Sequence, residues 1–374
     1  MKKQRFLVPI ALALGLCGAL PAADAKIKQQ FSAWFSLNDS RPSTPLLGLR
    51  YLPTLSLAQA AKSKWKLDSE LSLNMFATAA AASWRDPDVS GKIEPYRLWL
   101  RLASTRCEAR LGLQKINFGS ATVLRPLMWF DRIDPRDPLQ ITAGVYGLLL
   151  RYYFKSNANI WLWSLYGNPG TKGWETRATA DDTPEFGGRF QAPLFKGEAA
   201  ATVHFRRLAP GGAGDPRRPL ESRFALDGKW DAGVGLWAEA AFVHQDDPAA
   251  AFPWQQSIVI GSDYTFKLGR GLYLLAEQFY SRGAPSLFAR GGGEVSFSAL
   301  LARYPLNVLD SLSAILYFDW RRGRLYSFVD GQRTYDHWQF HVILFRNPPQ
   351  AQIVQAGNGL FAGRGFQLLA VWNI

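Results

Sequence analysis

Apolar residues recur at every second position through most of the chain, in segments of about ten residues, the length a tilted strand needs to cross a bilayer. Tyr96, Leu98, Leu100 and Leu102 alternate with Arg97, Trp99 and Arg101. Ala199, Ala201, Val203 and Phe205 alternate with Glu198, Thr202, His204 and Arg206. Ile258, Ile260, Tyr264 and Phe266 alternate with Gly261, Asp263 and Thr265. An amphipathic helix would repeat its apolar residues at three and four instead. Past the N-terminal segment no apolar run reaches the ~18 residues of a membrane helix. A soluble sandwich alternates in the same way, so other features must decide between the two.

The N-terminus and the aromatic content supply them. Lys2, Lys3 and Arg5 precede an apolar stretch over 6–20, and Ala23-Asp24-Ala25 offers small residues around a cleavage point. That is the build of a secretory signal peptide, cut after Ala25. The expected organisation is therefore a signal peptide at 1–25 and one domain at 26–374. Cys17 falls in the leader, so Cys107 alone remains and no intrachain disulfide forms. Aromatics make up 14% of the chain, 14 of them Trp, at a mean hydropathy of −0.11. A membrane barrel uses such residues as girdles at both interfaces while its interior stays polar.

Short connections are expected near Thr105, 155–158, 193–196, 231–233, 268–270 and 305–307. Long ones are expected at 80–93, 117–143, 168–184, 208–220, 244–253, 282–292 and 347–363, where Pro, Gly and Asp crowd. Alternation of short turns with long external loops is the habit of outer-membrane barrels, and it requires an even strand number. Taking 324–329 as a short strand followed by an Asp330-Gly331 turn gives 18 strands, with 16 as the alternative. At the chain's end Phe366, Leu368, Ala370, Trp372 and Ile374 alternate with Gln367, Leu369, Val371 and Asn373. This resembles the terminal strand read by the barrel-assembly machinery, with Ile where that pattern ends in Phe or Trp. The fold class is an all-β transmembrane antiparallel barrel.

With the apolar phase set against lipid, the other phase faces the lumen. Arg97, Arg101, Arg110, Arg151, Arg206, Arg223, Lys229 and Lys267 then point inward, with Glu108, Glu198, Asp227, Glu239, Asp263, Glu277 and Asp319. This reads as a solvated, mixed-charge interior with a weak anion preference. Inward aromatics are expected only at Trp99, Tyr153 and Phe345. The connection at 120–142 stands apart, because loops beyond about 12–15 residues tend to be functional or disordered. Leu127, Met128, Trp129, Phe130 and Ile133 make it too apolar for disorder in water. Asp131, Arg132, Asp134, Arg136 and Asp137 surround them, and the Asp-Pro steps favour rigid turns. Folding inward as a constriction is the preferred expectation.

The stretch 110–153 reads R-L-G-L-Q-K-I-N-F-G, then D-P-R-D-P at 134–138, then G-V-Y-G-L from Gly144. It resembles a broad group of uncharacterised porin-like outer-membrane proteins sharing a G-x-Q-x-I-x-x-G strand, a D-P-x-D-P-type loop and a G-V-x-x-L strand. The resemblance implies a large single-chain barrel and no particular substrate. Related barrels range from solute porins to conduits for exported polymers or electron carriers.

Enzyme chemistry finds little support. His337 and His341 lie about 13 Å apart if they share a strand, too far to hold one ion. His204 faces the lumen, and His244 with Asp246 and Asp247 reads as a solvated loop tip. No G-x-S-x-G, phosphate loop or Cys cluster accompanies them. No cofactor is called for. The charge of +13 and pI of 9.8 would fit nucleic acid, but an exported chain does not meet it; basic rim residues would instead meet lipopolysaccharide phosphates. The expected function is an outer-membrane channel for passive passage of small polar solutes. The alternative is a sheath around a periplasmic or surface partner, such as a multihaem cytochrome or an exported polymer system.

Overall fold

The computed structural model describes residues 23–374 apart from 40–44, 60–63, 81–87, 212–215, 288, 290 and 349–360. Most of the expected signal peptide therefore lies outside the described residues. No helix among the described residues is long and apolar enough to cross a membrane. The described residues form eighteen strands. In order they are β1 (Ala23–Asn38), β2 (Leu46–Gln59), β3 (Lys66–Ala80), β4 (Asp88–Ala103), β5 (Cys107–Gln114) and β6 (Val145–Tyr153). There follow β7 (Asn159–Leu165), β8 (Glu185–Leu194), β9 (Gly197–Arg207), β10 (Leu220–Asp231), β11 (Gly235–Gln245) and β12 (Trp254–Phe266). The last six are β13 (Leu272–Ala284), β14 (Gly292–Pro305), β15 (Asp310–Asp319), β16 (Arg324–Thr334), β17 (Trp338–Arg346) and β18 (Arg364–Asn373).

Each strand pairs antiparallel with the next, and β1 pairs with β18 from Gln30↔Asn373 to Asn38↔Gly365. The sheet is thus closed and leaves no free edge, which removes the chief hazard of a long β-sheet. Closure also satisfies the strand backbone within the wall, as a bilayer demands. Short turns gather at one end, where both β1 and β18 have their outer termini. The connections at the other end run as long as 115–144.

The period-two pattern sorts the side chains. On β12 the outward Ile260 is 64% exposed while the inward Val259 is fully covered; on β10 Leu226 is 61% exposed and Asp227 only 8%. Two sequence expectations change here. Asp330 and Gly331 do not turn: β16 continues to Thr334, with Asp330 opposite Ile343 and Gly331 opposite Val342. Asp330 is held by the His341 ring, 3.0 Å away, and the turn falls at 335–337. The connection expected at 80–93 is shorter, because β4 already pairs from Asp88.

The core sits inside the barrel. Ile116, Phe118, Leu127, Trp129 and Phe130 pack on Leu149, Trp163, Leu165, Ala225 and Ala241 of the inner wall. Ala121, Val123 and Leu124 join a second cluster with Trp237, Val259, Phe279, Phe297, Phe328 and Phe345. Each large side chain so buried stabilises the inserted position by about 1.5–3 kcal/mol.

Candidate functional site: the lumen and the segments inserted in it

An irregular segment inside a barrel carries amide groups that must find acceptors. Residues 119–127 find them on two wall carboxylates. Glu239 of β11 accepts the N–H of Ala121 (2.7 Å) and of Leu127 (3.3 Å). Glu277 of β13 accepts those of Thr122 (2.7 Å), Val123 (3.0 Å) and Leu124. The Trp237 indole donates to Glu277 at 3.0 Å and orients it. Ser120 donates to Asp227 of β10 at 3.2 Å. Gly119 opens this run at a φ of +99°, where a side chain would meet the Glu239 carboxylate. Only glycine suits that approach.

The rest of the segment spans the lumen. Phe118 stacks on Trp163 at 5.7 Å, and Phe130 meets the His204 ring edge-on at 5.0 Å. Arg125 pairs with Asp131 at 3.0 Å. Asp134 and Arg136 form a two-point pair, 2.8 Å at each contact, and the Arg136 guanidinium lies between the rings of Phe328 and Phe361. The Asp137 carboxylate accepts the N–H of Leu139 at 3.0 Å. Burial, the largest influence, raises its pKa above the ordinary carboxylate range. Thr142 closes the crossing, its carbonyl taking Arg97 of β4 at 3.1 Å.

The connection 166–184 also folds inward, a correction to its reading as an external loop. Arg132 donates to Thr171 (2.8 Å) and to the Gly173 carbonyl (3.2 Å). Trp174 donates to the Arg125 carbonyl at 2.7 Å and stacks on Phe279. Glu175 then sits beneath a fully covered surface, 2.8 Å from Arg223, 3.2 Å from Lys172 and 3.3 Å from Arg206. Glu221 bridges Arg206 (2.6 Å) and Arg223 (2.7 Å). Glu185 bridges Lys172 (2.9 Å) and His204 (3.0 Å), and Arg189 pairs with Asp227.

Arg206, Arg223, Asp227, Glu239 and Glu277 thus face inward but are covered, not solvated. Arg101, Glu108, Arg110 and Arg151 face a more open lumen, with side chains 10–32% exposed. Arg101 bonds Asp68 at 2.9 Å, and Glu108 lies 3.0 Å from Arg110 and 3.6 Å from Arg151. Arg110 lies over Trp99 at 4.7 Å and Arg151 over Trp161 at 3.8 Å. At the turn end, Lys229 over Trp237 and Asp263 beside the Tyr273 hydroxyl edge a cavity of about 490 Å³ that Glu198 and Asp231 also line. Asp319 is covered and bonds Arg322, while Lys267 lies past the end of β12, in a turn.

Several features escaped the sequence. Inward aromatics are not confined to Trp99, Tyr153 and Phe345 but include Trp163, Trp237, Tyr317, Tyr326 and Phe328; Trp237 shares the face of Glu239 and Tyr317 that of Asp319, so the alternation already assigned these two inward. Glu185 and Arg189 were reachable by extending the alternation one strand further, to β8, and Glu221 shares the inward face of Arg223 on β10. Glu175 and Lys172, in a connection, carried no such signal. His337 lies in the turn before β17 and bonds the Asn373 carbonyl, apart from His341. The His244 ring lies tilted against Trp254 at 4.4 Å, and Asp247 holds Arg177 at 2.7 Å. Among the described residues no group of three His, Cys, Asp or Glu is arranged to hold a metal.

No family model matches the chain, and no curated protein matches it by sequence. Solved structures do match in shape. Pseudomonas aeruginosa OccK5 (OpdH) superposes with a TM-score of 0.57 at 11% identity, covering 94% of this chain and 98% of its own. Acinetobacter baumannii OccAB3 gives 0.56 at 8%, covering 94% and 99%. An anion-selective porin from Comamonas acidovorans gives 0.52 at 13%, covering 94% and 100%. The closed eighteen-stranded wall and these likenesses make the fold that of a porin-like barrel.

Proposed function

We propose that the protein is an outer-membrane channel for passive passage of small polar solutes, narrowed by residues 120–142, with the long connections facing outward. The observation that carries this reading is the bracing of that segment across the lumen, from Glu239 and Glu277 on one side to Arg97 on the other. A barrel built to sheathe a partner needs that space free, so the inserted segments speak against the sheath. The remaining path follows the inner face of β2 to β6. There Arg50, Lys92, Arg97, Arg101, Arg110 and Arg151 outnumber Asp68, Glu70, Glu94 and Glu108, which favours anions over cations in transit.

The test is conductance of the purified full-length protein in planar bilayers, with liposome swelling for uncharged solutes. Discrete steps with a modest anion preference are expected. A folded protein that gives no steps and no swelling would sink the channel reading.

A further inference from the structure

The lipid-facing wall carries polar chemistry where a barrel should be greasy. On β13, β14 and β15 the outward rungs rise from turn end to loop end in a fixed order. Ala276, Leu300 and Leu316 share one rung; Gln278, Ser298 and Phe318 share the next; Tyr280 and Ser296 pair above them. Each rung advances about 6.6 Å along the strands, from about 3.3 Å per residue. Gln278 therefore lies one rung inside the aromatic level of Tyr280 and Trp320, within the apolar band. Its amide donates to Ser296 at 3.1 Å and accepts from Ser298, which accepts the Trp320 indole at 2.8 Å. Polar groups at such depth are costly and call for an explanation.

Below this cluster lies a furrow of about 610 Å³ lined by Ile260, Ala276, Leu300, Leu316, Phe318 and Leu325. Above it, Arg321 reaches Glu294 at 2.7 Å, the Tyr280 hydroxyl stands beside Glu294, Arg282 and Arg321, and Arg282 bonds Gln256 at 3.1 Å. Here the connection is only 320–323, so β15 and β16 raise little chain over this face. The ascending order is aliphatic furrow, amide and hydroxyls, indole, then two guanidinium groups against one carboxylate.

We propose that this face binds one phosphorylated glycolipid of the outer leaflet. Its acyl chains lie in the furrow, its acyl-linkage level meets Gln278, Ser296 and Ser298, and a phosphate bridges Arg282 and Arg321. The order of chemistry up the wall matches the order of chemistry up such a lipid, and guanidinium suits phosphate by two-point hydrogen bonding. The proposal rests on the loop end facing outward, as in the channel reading, but uses no lumen residue. Glu294 competes with the phosphate for Arg321, which fixes the sign of a third variant.

The experiment titrates synthetic bisphosphorylated lipid A into the purified full-length protein and counts bound lipid by native mass spectrometry. Arg282→Ala with Arg321→Ala should weaken binding about fivefold or more, as expected for lost charge-assisted bonds. Glu294→Gln should strengthen it, and dephosphorylated lipid should bind the unaltered protein no better than the double variant binds the phosphorylated one. Heat-modifiable migration and conductance should stay unchanged in all variants, which separates this result from failure of the channel reading. Equal binding by the double variant overturns the proposal, as does an equal loss in Arg207→Ala, an exposed arginine elsewhere on the loop-end rim. Gln278→Leu with Ser298→Ala should lower lipid binding; if it instead changes the number of chains per particle with lipid unaffected, the face belongs to a second copy and the proposal fails.

Discussion

Two arcs of the inner wall are rich in charge, and the arc from β8 to β13 treats it differently from the arc from β2 to β6. On the first, carboxylates and guanidinium groups are covered by the inserted segments and neutralise one another: Glu175 serves three cations, while Glu239 and Glu277 serve backbone amides. On the second, arginines are steadied by the faces of Trp99 and Trp161 and keep their edges toward the lumen. The sequence pattern is the same in both arcs. What packs over the wall decides whether a charge is held in the structure or faces the open lumen.

The largest expected effect comes from removing the cover. Deleting 123–137 should raise single-channel conductance severalfold, because the wall closes by its own hydrogen bonds and a barrel of this strand number is wide. The covered arc would then resemble the open one. Unchanged conductance would show that the deleted residues do not set the narrowest point, and the contrast between the arcs would lose its functional meaning.

Next comes Glu175→Ala. It leaves Arg206, Arg223 and Lys172 buried with less compensation, a loss of about 3–5 kcal/mol for a broken buried pair. Glu108→Ala, on the open arc, should cost less, because its partners are 17–32% exposed and reach lumen water, whereas those of Glu175 are covered. Urea unfolding of the barrel in detergent checks both. Equal destabilisation by the two substitutions would erase the distinction between covered and open charge.

How far this division was legible from sequence follows from where each group sits. The wall was legible, since alternation in β9, β10 and β12 assigns Arg206, Asp227 and Asp263 to the lumen without any coordinates. The strand 324–334 was only half legible, because Asp330-Gly331 reads locally as a turn and His341 across the strand overrides it. The cover was not legible. Ala121 reaches Glu239 across 118 positions and Thr122 reaches Glu277 across 155, and no local periodicity encodes such a meeting. The apolar content of 120–142 hinted that it hides from water; 168–184 has Trp174 alone as a large apolar residue and gave no such hint.

A smaller effect is expected from charge reversal on the open arc. Arg101→Glu with Arg151→Glu should move the reversal potential toward cations while leaving conductance of the same order, since both groups face the lumen and neither holds an inserted segment. Arg97 is unsuitable for this purpose because it holds the Thr142 carbonyl. A reversal potential that does not move would mean that ions take a path away from β4 and β6.

The smallest effect belongs to Asp137, in the covered segment and within the electrostatic reach of Arg50 of the open arc. Burial raises its pKa, with Asp134 adding to the rise; the N–H groups of Leu139 and Ile141 and the charge of Arg50 lower it, and the net direction is upward. A group whose pKa is raised in the docked state favours docking most when it is protonated. That contribution is complete below the ordinary Asp value of about 4 and fades as pH rises through the raised value. The segment should therefore sit more firmly at acid pH and loosen slightly above it, seen as a small increase in open-channel noise. Asp137→Asn removes the ionisation but keeps an acceptor for Leu139, so its noise should stay at the acid level across the range. The effect is small because the same amides and Arg50 offset much of the burial cost. Noise that rises with pH equally in Asp137→Asn would assign the titration to another carboxylate and remove Asp137 as the link between the two arcs.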